Sequence, residues 1–282
     1  MHYEAEIISA DSRQFYREMF IGTAKPDSIE QSGVKHHFID SHSIKEEVSS
    51  SRFASEAQKI LDQLFKTFEK VILVGGSGMF IDALVDGLDS IPSSREIRNK
   101  LIKKSEEDYS TLLEDLKFKD PDYFNAVDRN NPARVIRALE AIEITGLPYS
   151  QMRKSEKKKR DYKVIRFVIE HDRTELYNRI NKRVDLMMEK GLLEEVTSLI
   201  EYRDRSALRT VGYRELFDFI DHSTSLEEAV EKIKQNTRNY AKRQLTWLRR
   251  YTDSQIIPFD STQIMKEKCI QIIENQAHDL NI

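Results

Sequence analysis

Apolar and polar positions follow two rhythms along this chain. "EIISADS" (6–12) is a short apolar run that closes in an acidic turn, which predicts a buried strand from Glu6 to Ala10 followed by Asp11-Ser12. Residues 52–68 ("RFASEAQKILDQLFKTF") place Phe53, Ala57, Ile60, Leu61, Leu64 and Phe68 at helical spacing. "KVILVGGSGMFIDALVDGL" (70–88) reads as an apolar run, a glycine turn and a second helix. The order strand, loop, helix, strand, turn, helix predicts a parallel sheet covered by helices.

From Ser93 to Arg160 the rhythm stays helical and charged. "SREIRNKLIKKSEEDYSTLLEDLKF" and "NPARVIRALEAIEITG" each carry an apolar stripe, and Gly146 and Pro148 stop the second. "RKSEKKKR" (153–160) is a basic, unpatterned hinge, and "KVIRFVIEHD" (163–172) reads as a strand returning to the same sheet. Helices are expected over Leu176–Met188, Leu192–Ile200, Tyr213–Ile220 and Leu226–Tyr251. The pattern therefore predicts an α/β core, residues 1–92 and 161–282, interrupted by an all-helical insertion over 93–160.

The net charge of −3 gives no global sign of a nucleic-acid binder, so charge has to be read locally. One cysteine, Cys269, rules out an intrachain disulfide framework and a multi-cysteine zinc site. No apolar run approaches the ~18 residues of a membrane span. The first residues lack the pattern of a signal peptide. A cytoplasmic protein is expected.

Several features could carry chemistry. Asp11 at a strand end could be a general base, a metal ligand or a helix cap, and by itself the cap is favoured. Gly75-Gly76-Ser77-Gly78 could let a ligand approach the backbone, or could simply be a tight strand-to-helix turn. Lys232–Thr252 holds seven basic residues and no acidic one. On a helical wheel Arg238, Lys242 and Arg249 fall together, with Arg243 and Arg250 further round and Tyr240, Ala241, Trp247, Leu248 and Tyr251 opposite. Such a basic stripe suits a phosphate backbone. Arg209 and Arg214 flank Val-Gly in "ALRTVGYRE", where arginine forks would match phosphate oxygens. Arg134 and Arg137 share a helix face and could grip RNA or pair with a neighbour such as Glu140. His36-His37 lack further ligands at metal spacing, so no metal site is expected.

Taken in order, "EIISADSRQFYREMFIGTAKP", "HHFID", "VILVGGSGMFIDALVDGL", "NPARVIRALE", "RINKRVDLMMEKGLLEEV", "RTVGYRE" and "AKRQLTWLRR" resemble the tRNA dimethylallyltransferase (tRNA isopentenyltransferase) family over about residues 6–260. The resemblance implies a P-loop NTPase-like parallel-sheet core with a helical insertion that grips the tRNA anticodon stem-loop. It implies prenyl transfer from dimethylallyl diphosphate to the exocyclic N6 amine of the adenosine 3′ of the anticodon, in tRNAs reading codons that begin with U. By that resemblance Asp11 is the general base. Asp11, Ser12, Arg13 and Gln14 contact the target nucleotide and its neighbours, and Ser77 stands in place of the usual threonine. Arg98, Arg134 and Arg137 contact RNA, and Arg209 holds the diphosphate leaving group. Lys242 and Arg243 of the basic stripe join the tRNA contacts. Mg²⁺ is the implied cofactor, and a monomer is expected.

One departure stands out. The family's phosphate-binding pattern, G-x-x-x-x-G-K-[ST], occurs nowhere in this chain, and its expected place precedes the first strand. An N-terminally truncated core and little or no transfer by the chain as it stands are the corresponding expectations. A catalytically dead tRNA-binding relative is the alternative. A small-molecule kinase of the same fold class would need the same loop and leaves the insertion's arginines unexplained.

Overall fold

A computed structural model describes residues 2–89, 91–153 and 158–278. They form two compact units, Met1–Val85 with Arg160–Ile282, and Asp86–Lys159.

The first unit begins with β1 (Ile7–Ser9), the short α1 (Ser28–Gln31), β2 (His36–His37), α2 (Ser50–Leu64), β3 (Ile72–Val74) and α3 (Gly78–Val85). The three strands make a parallel sheet in the order β2-β1-β3, with Ile7 opposite both His36 and Ile72. The central strand is the buried one, since Ile8 and Ala10 are 0% exposed. Ser49 caps α2 by accepting from the Arg52 N–H at 3.1 Å, and Phe53, Ala57, Leu61 and Leu64 face the core. Phe15, the residue after the Asp11 turn and Gln14, stacks on Phe53 at 5.5 Å, and Phe53 meets Phe38 edge-on at 4.8 Å. This aromatic floor is packed and rigid, and the turn sits on it.

The second unit is all helical: α4 (Arg95–Glu107), α5 (Tyr109–Lys119), α6 (Pro121–Ala126), α7 (Pro132–Thr145) and α8 (Tyr149–Met152). Its starts follow capping chemistry. Ser94, Asp108, Asp120 and Asn131 each accept a backbone N–H, and proline opens α6 and α7. Gly146, at φ 73°, ends α7 in a left-handed cap. Leu101, Leu112, Leu116, Val135 and Leu139 build a core of its own.

The chain then adds to the first unit β4 (Phe167–Glu170), α9 (Arg173–Glu189), α10 (Leu192–Ser198), α11 (Tyr213–Ile220), α12 (Leu226–Leu248), β5 (Gln255–Pro258) and α13 (Thr262–His278). Here the sequence expectation needs correction. Among the described residues β4 does not rejoin the first sheet; it pairs in parallel with β5, Phe167 opposite Gln255 through Glu170 opposite Pro258. That partner went unforeseen because "QIIP" is a very short apolar run ending in proline, which is a poor strand signal. β3 is consequently an edge strand among the described residues, with Ile72 and Val74 46% and 51% exposed. Among the described residues no helix is long and apolar enough to cross a membrane.

Candidate active site

The Asp11 turn lies at the carboxyl end of the central strand β1, the end of an open parallel sheet where ligands bind. Asp11 caps the turn that follows it, where no helix forms. Its Oδ1 accepts the Arg13 N–H at 2.8 Å and the Gln14 N–H at 3.4 Å. Its second carboxylate oxygen has no hydrogen-bond partner among the described residues. The two readings of Asp11 are therefore compatible, since one oxygen holds the turn and the other is free for a proton.

Three groups feel the charge of Asp11: Tyr240 of α12, the guanidinium of Arg183 on α9, and Arg13. Desolvation lowers the pKa of Arg183 and Asp11 opposes that shift, while the side chain as a whole stays exposed. Desolvation likewise raises the Tyr240 hydroxyl, with Asp11 adding to it and hydrogen bonds to Ser77 and Gln244 pulling it back. Tyr240 still has 39% of its surface open, and Arg183 is exposed as well, so solvent reaches these groups.

The remaining residues of the turn are largely committed to the protein. The Ser77 hydroxyl accepts the Ser12 N–H at 3.0 Å and lies 3.1 Å from the Ser12 hydroxyl. Gln14 donates its amide hydrogens to the carbonyls of Thr23 (3.3 Å) and Ala24 (3.2 Å), while its oxygen accepts from Ser9 at 3.2 Å. Arg13 Nη1 donates to the Ser206 carbonyl at 3.1 Å, three residues ahead of Arg209. Arg209 itself is exposed, with no ion pair among the described residues.

The glycine turn is explained by packing. A Cβ on Gly75 would stand 2.5 Å from the Ala10 carbonyl carbon. One on Gly76 or Gly78 would overlap the side chains of Gln244 and Trp247 of α12. Gln244 Nε2 also donates to the Gly76 carbonyl at 3.0 Å. The tight-turn reading of these glycines holds, and the close neighbour is α12.

On α12 itself the basic stripe is divided. Lys234 pairs with Asp185 at 2.8 Å, Arg238 donates to Asn181 at 2.6 Å, and Arg250 stacks 4.5 Å over Trp247. Lys242 and Arg243 stay exposed, over Tyr177 at 6.0 Å and Tyr240 at 5.6 Å respectively.

In the helical unit the predicted arginines separate as well. Glu140 is 0% exposed and fills both oxygens: Oε1 accepts the Ser94 N–H (2.7 Å) and Arg98 Nη2 (3.1 Å), Oε2 accepts Arg98 Nε and Arg137 Nη1, both at 3.2 Å. Arg137 also donates to the Pro92 and Ile91 carbonyls at 2.7 and 2.8 Å. Arg134, one turn away, is exposed and has no ion pair among the described residues. It shares the field of the Tyr123 hydroxyl with Arg153, whose guanidinium sits 5.8 Å over the Tyr123 ring.

Arg183 is the residue that the sequence reading missed. It lies inside the quoted "RINKRV", beside the stripe Ile180, Val184 and Met187 that α9 buries.

Residues 14–251 match the family model described as IPP transferase. The chain is 44% identical over 251 residues to tRNA dimethylallyltransferase 1 of Bacteroides thetaiotaomicron, covering 88% of this chain and 82% of that protein. It is 46% identical over 261 residues to tRNA dimethylallyltransferase of Christiangramia forsetii, covering 92% and 86%. In structure it is similar to the full-length tRNA isopentenylpyrophosphate transferase of Bacillus halodurans, with a TM-score of 0.69 at 33% identity over 98% of this chain and 90% of that one. A eukaryotic dimethylallyltransferase solved acting on tRNA shares the fold at a TM-score of 0.79 and 24% identity, over 97% of this chain and 74% of that one. The expected α/β, P-loop NTPase-like fold is thus that of solved transferases. With its match running from within the Asp11 turn to the end of the basic helix, and its curated relatives prenyl transferases, the chain belongs to the IPP transferase family.

Proposed function

We propose that the Asp11 turn carries out prenyl transfer on tRNA: a dimethylallyl group leaves dimethylallyl diphosphate and joins the exocyclic N6 amine of the adenosine 3′ of the anticodon, in tRNAs reading codons that begin with U. The observation that carries this reading is the divided carboxylate of Asp11, with Oδ1 holding the turn, Oδ2 without a hydrogen-bond partner among the described residues, and Arg13, Arg183 and Tyr240 feeling its charge. An aryl amine is a weak nucleophile because its lone pair is delocalised. A positioned carboxylate that takes its proton as the C–N bond forms leaves a neutral product. A guanidinium beside the reacting carbon stabilises the charge that gathers on the departing diphosphate, a role that suits Arg183 and, from its own segment, Arg209. Arg134, Lys242 and Arg243 are free to meet the RNA backbone. The protein is read as a cytoplasmic monomer in this role.

Magnesium fits this site as an ion shared with the substrate. Among the described residues no group of three or more His, Cys, Asp or Glu could hold a metal, while Mg²⁺ commonly needs only one or two carboxylates plus substrate phosphates. Asp11 Oδ2 is kept for the proton, so the ion would be held by the substrate's own phosphates and would supply charge neutralisation of the diphosphate.

A second reading, a tRNA-binding relative without transfer activity, rests on the exposed cations Arg134, Lys242 and Arg243, which bear on binding and not on transfer. The test uses unmodified tRNA, Mg²⁺ and labelled dimethylallyl diphosphate. The chain is assayed as it stands and with a segment carrying G-x-x-x-x-G-K-[ST] joined ahead of β1. Clear transfer by the second is the expected result. tRNA binding without transfer by either would replace the prenyl-transfer reading with the second one.

A further inference from the structure

Glu195 of α10 takes part in none of the chemistry above, yet its carboxylate is fully committed. Oε2 accepts the N–H groups of Phe20 (2.9 Å) and Ile21 (2.6 Å), and Oε1 accepts the Gly22 N–H (3.0 Å) and the Tyr213 hydroxyl (2.5 Å). Tyr213 is 0% exposed, and burial together with Glu195 pushes its pKa far up, so it stays a donor. The fit is also steric: a Cβ on Gly22 would stand 2.6 Å from the Tyr213 ring. Bonds from neutral donors to a carboxylate are the strong kind, and losing the acceptor strands four donors at once.

What these contacts hold is informative. The segment pinned by Glu195 continues into Thr23 and Ala24, whose carbonyls take the Gln14 amide, and the Gln14 N–H is itself held by Asp11 Oδ1. On the other side Tyr213 opens α11 just after the Arg209 segment, and Arg13 ties that segment back to the Asp11 turn through the Ser206 carbonyl. The contacts form a closed ring from the Asp11 turn through Gln14, the 20–24 segment, Glu195, Tyr213 and Ser206 to Arg13.

We infer that Glu195, with Tyr213, is a positioning residue for the transfer reaction: it fixes the Asp11 turn relative to the Arg209 segment. The inference rests on the prenyl-transfer reading for its catalytic consequence but not for its geometry. The test compares Glu195→Gln and Tyr213→Phe with Ser49→Ala, which removes the cap of α2 away from the ring. Tyr213→Phe keeps the ring against Gly22 and deletes only the hydroxyl. In the chain itself, amide exchange should rise about ten-fold at Phe20–Gly22 in both ring variants and spread to Ser12–Gln14, with Ile8 and Ser9 unchanged. In the transfer assay Glu195→Gln should lower kcat about ten-fold and leave the KM for tRNA within about two-fold, with Tyr213→Phe intermediate. Ser49→Ala should do neither. Two results would overturn the inference: unchanged exchange at Ser12–Gln14, or a fall in kcat matched by an equal rise in KM and by even exchange across the unit. Should wild-type protein transfer nothing in any form, the prenyl-transfer reading fails, and exchange at Ser12–Gln14 still decides whether the ring holds the turn.

Discussion

Asp11 and Glu140 are both carboxylates surrounded by donors, one at a strand end of the α/β unit and one inside the helical unit, and they differ in a single oxygen. Glu140 has both oxygens filled by Ser94, Arg98 and Arg137 and no exposed surface. Asp11 has one oxygen filled by its own turn and one without a hydrogen-bond partner among the described residues. The first arrangement suits a structural pair, and the second keeps acceptor capacity for a substrate. The same test sorts the arginines. Arg98 and Arg137 have a structural partner, whereas Arg134 and Arg183 hold charge that the protein has not neutralised with an ion pair among the described residues.

The sharpest way to break this comparison is Asp11→Asn. Asparagine still accepts the Arg13 and Gln14 amides as a good cap, so the turn survives. It cannot take a proton from the adenine amine. Transfer in the P-loop-extended protein should fall by about 10²- to 10⁴-fold, the range of a general base, with tRNA affinity nearly unchanged. A loss of tRNA affinity equal to the loss of rate would make Asp11 a binding or capping residue only.

Glu140→Ala should do the reverse, costing stability. It leaves two guanidiniums and the Ser94 N–H facing an empty site. Breaking a buried pair costs about 3–5 kcal/mol, and the lower end applies because Arg98 and Arg137 side chains are 45% and 30% exposed. Chemical unfolding of the chain followed by circular dichroism should show a loss of about 3 kcal/mol, with Glu140→Gln in between. An unchanged unfolding curve would mean that Arg98 and Arg137 are not held by Glu140 in solution.

How far the chain could be read in advance depends on the range of each interaction. The acid after an apolar run and the glycine turn are local signals, and both features were legible. The reason for the glycines was not, because Gln244 and Trp247 that press on them lie far along the chain. Glu140 was visible as a neighbour of Arg137 three residues away, yet Arg98 meets it from 42 residues away. β5 escaped because four residues with a proline carry no periodicity. Arg183 escaped because helical spacing marks which residues are buried, whereas the side of α9 that meets Asp11 is set by how the helix leaves β4.

The smallest expected effect separates Arg134 from Arg137, which one helix turn of sequence cannot tell apart. Both are basic and both lie on α7. Arg137 has its guanidinium held by two backbone carbonyls and Glu140, so it releases few counterions on meeting RNA. Arg134 is exposed and close to Arg153 across Tyr123, so a phosphate there would displace condensed cations from the RNA. Titrating labelled tRNA at several salt concentrations should show that Arg134→Ala weakens binding and flattens the dependence of log K on log salt by about one unit. Arg137→Ala should leave the slope alone and lower the unfolding midpoint instead. Equal slopes for wild type and Arg134→Ala would remove Arg134 from the RNA interface and leave Lys242 and Arg243 of α12 as the exposed cations to test next.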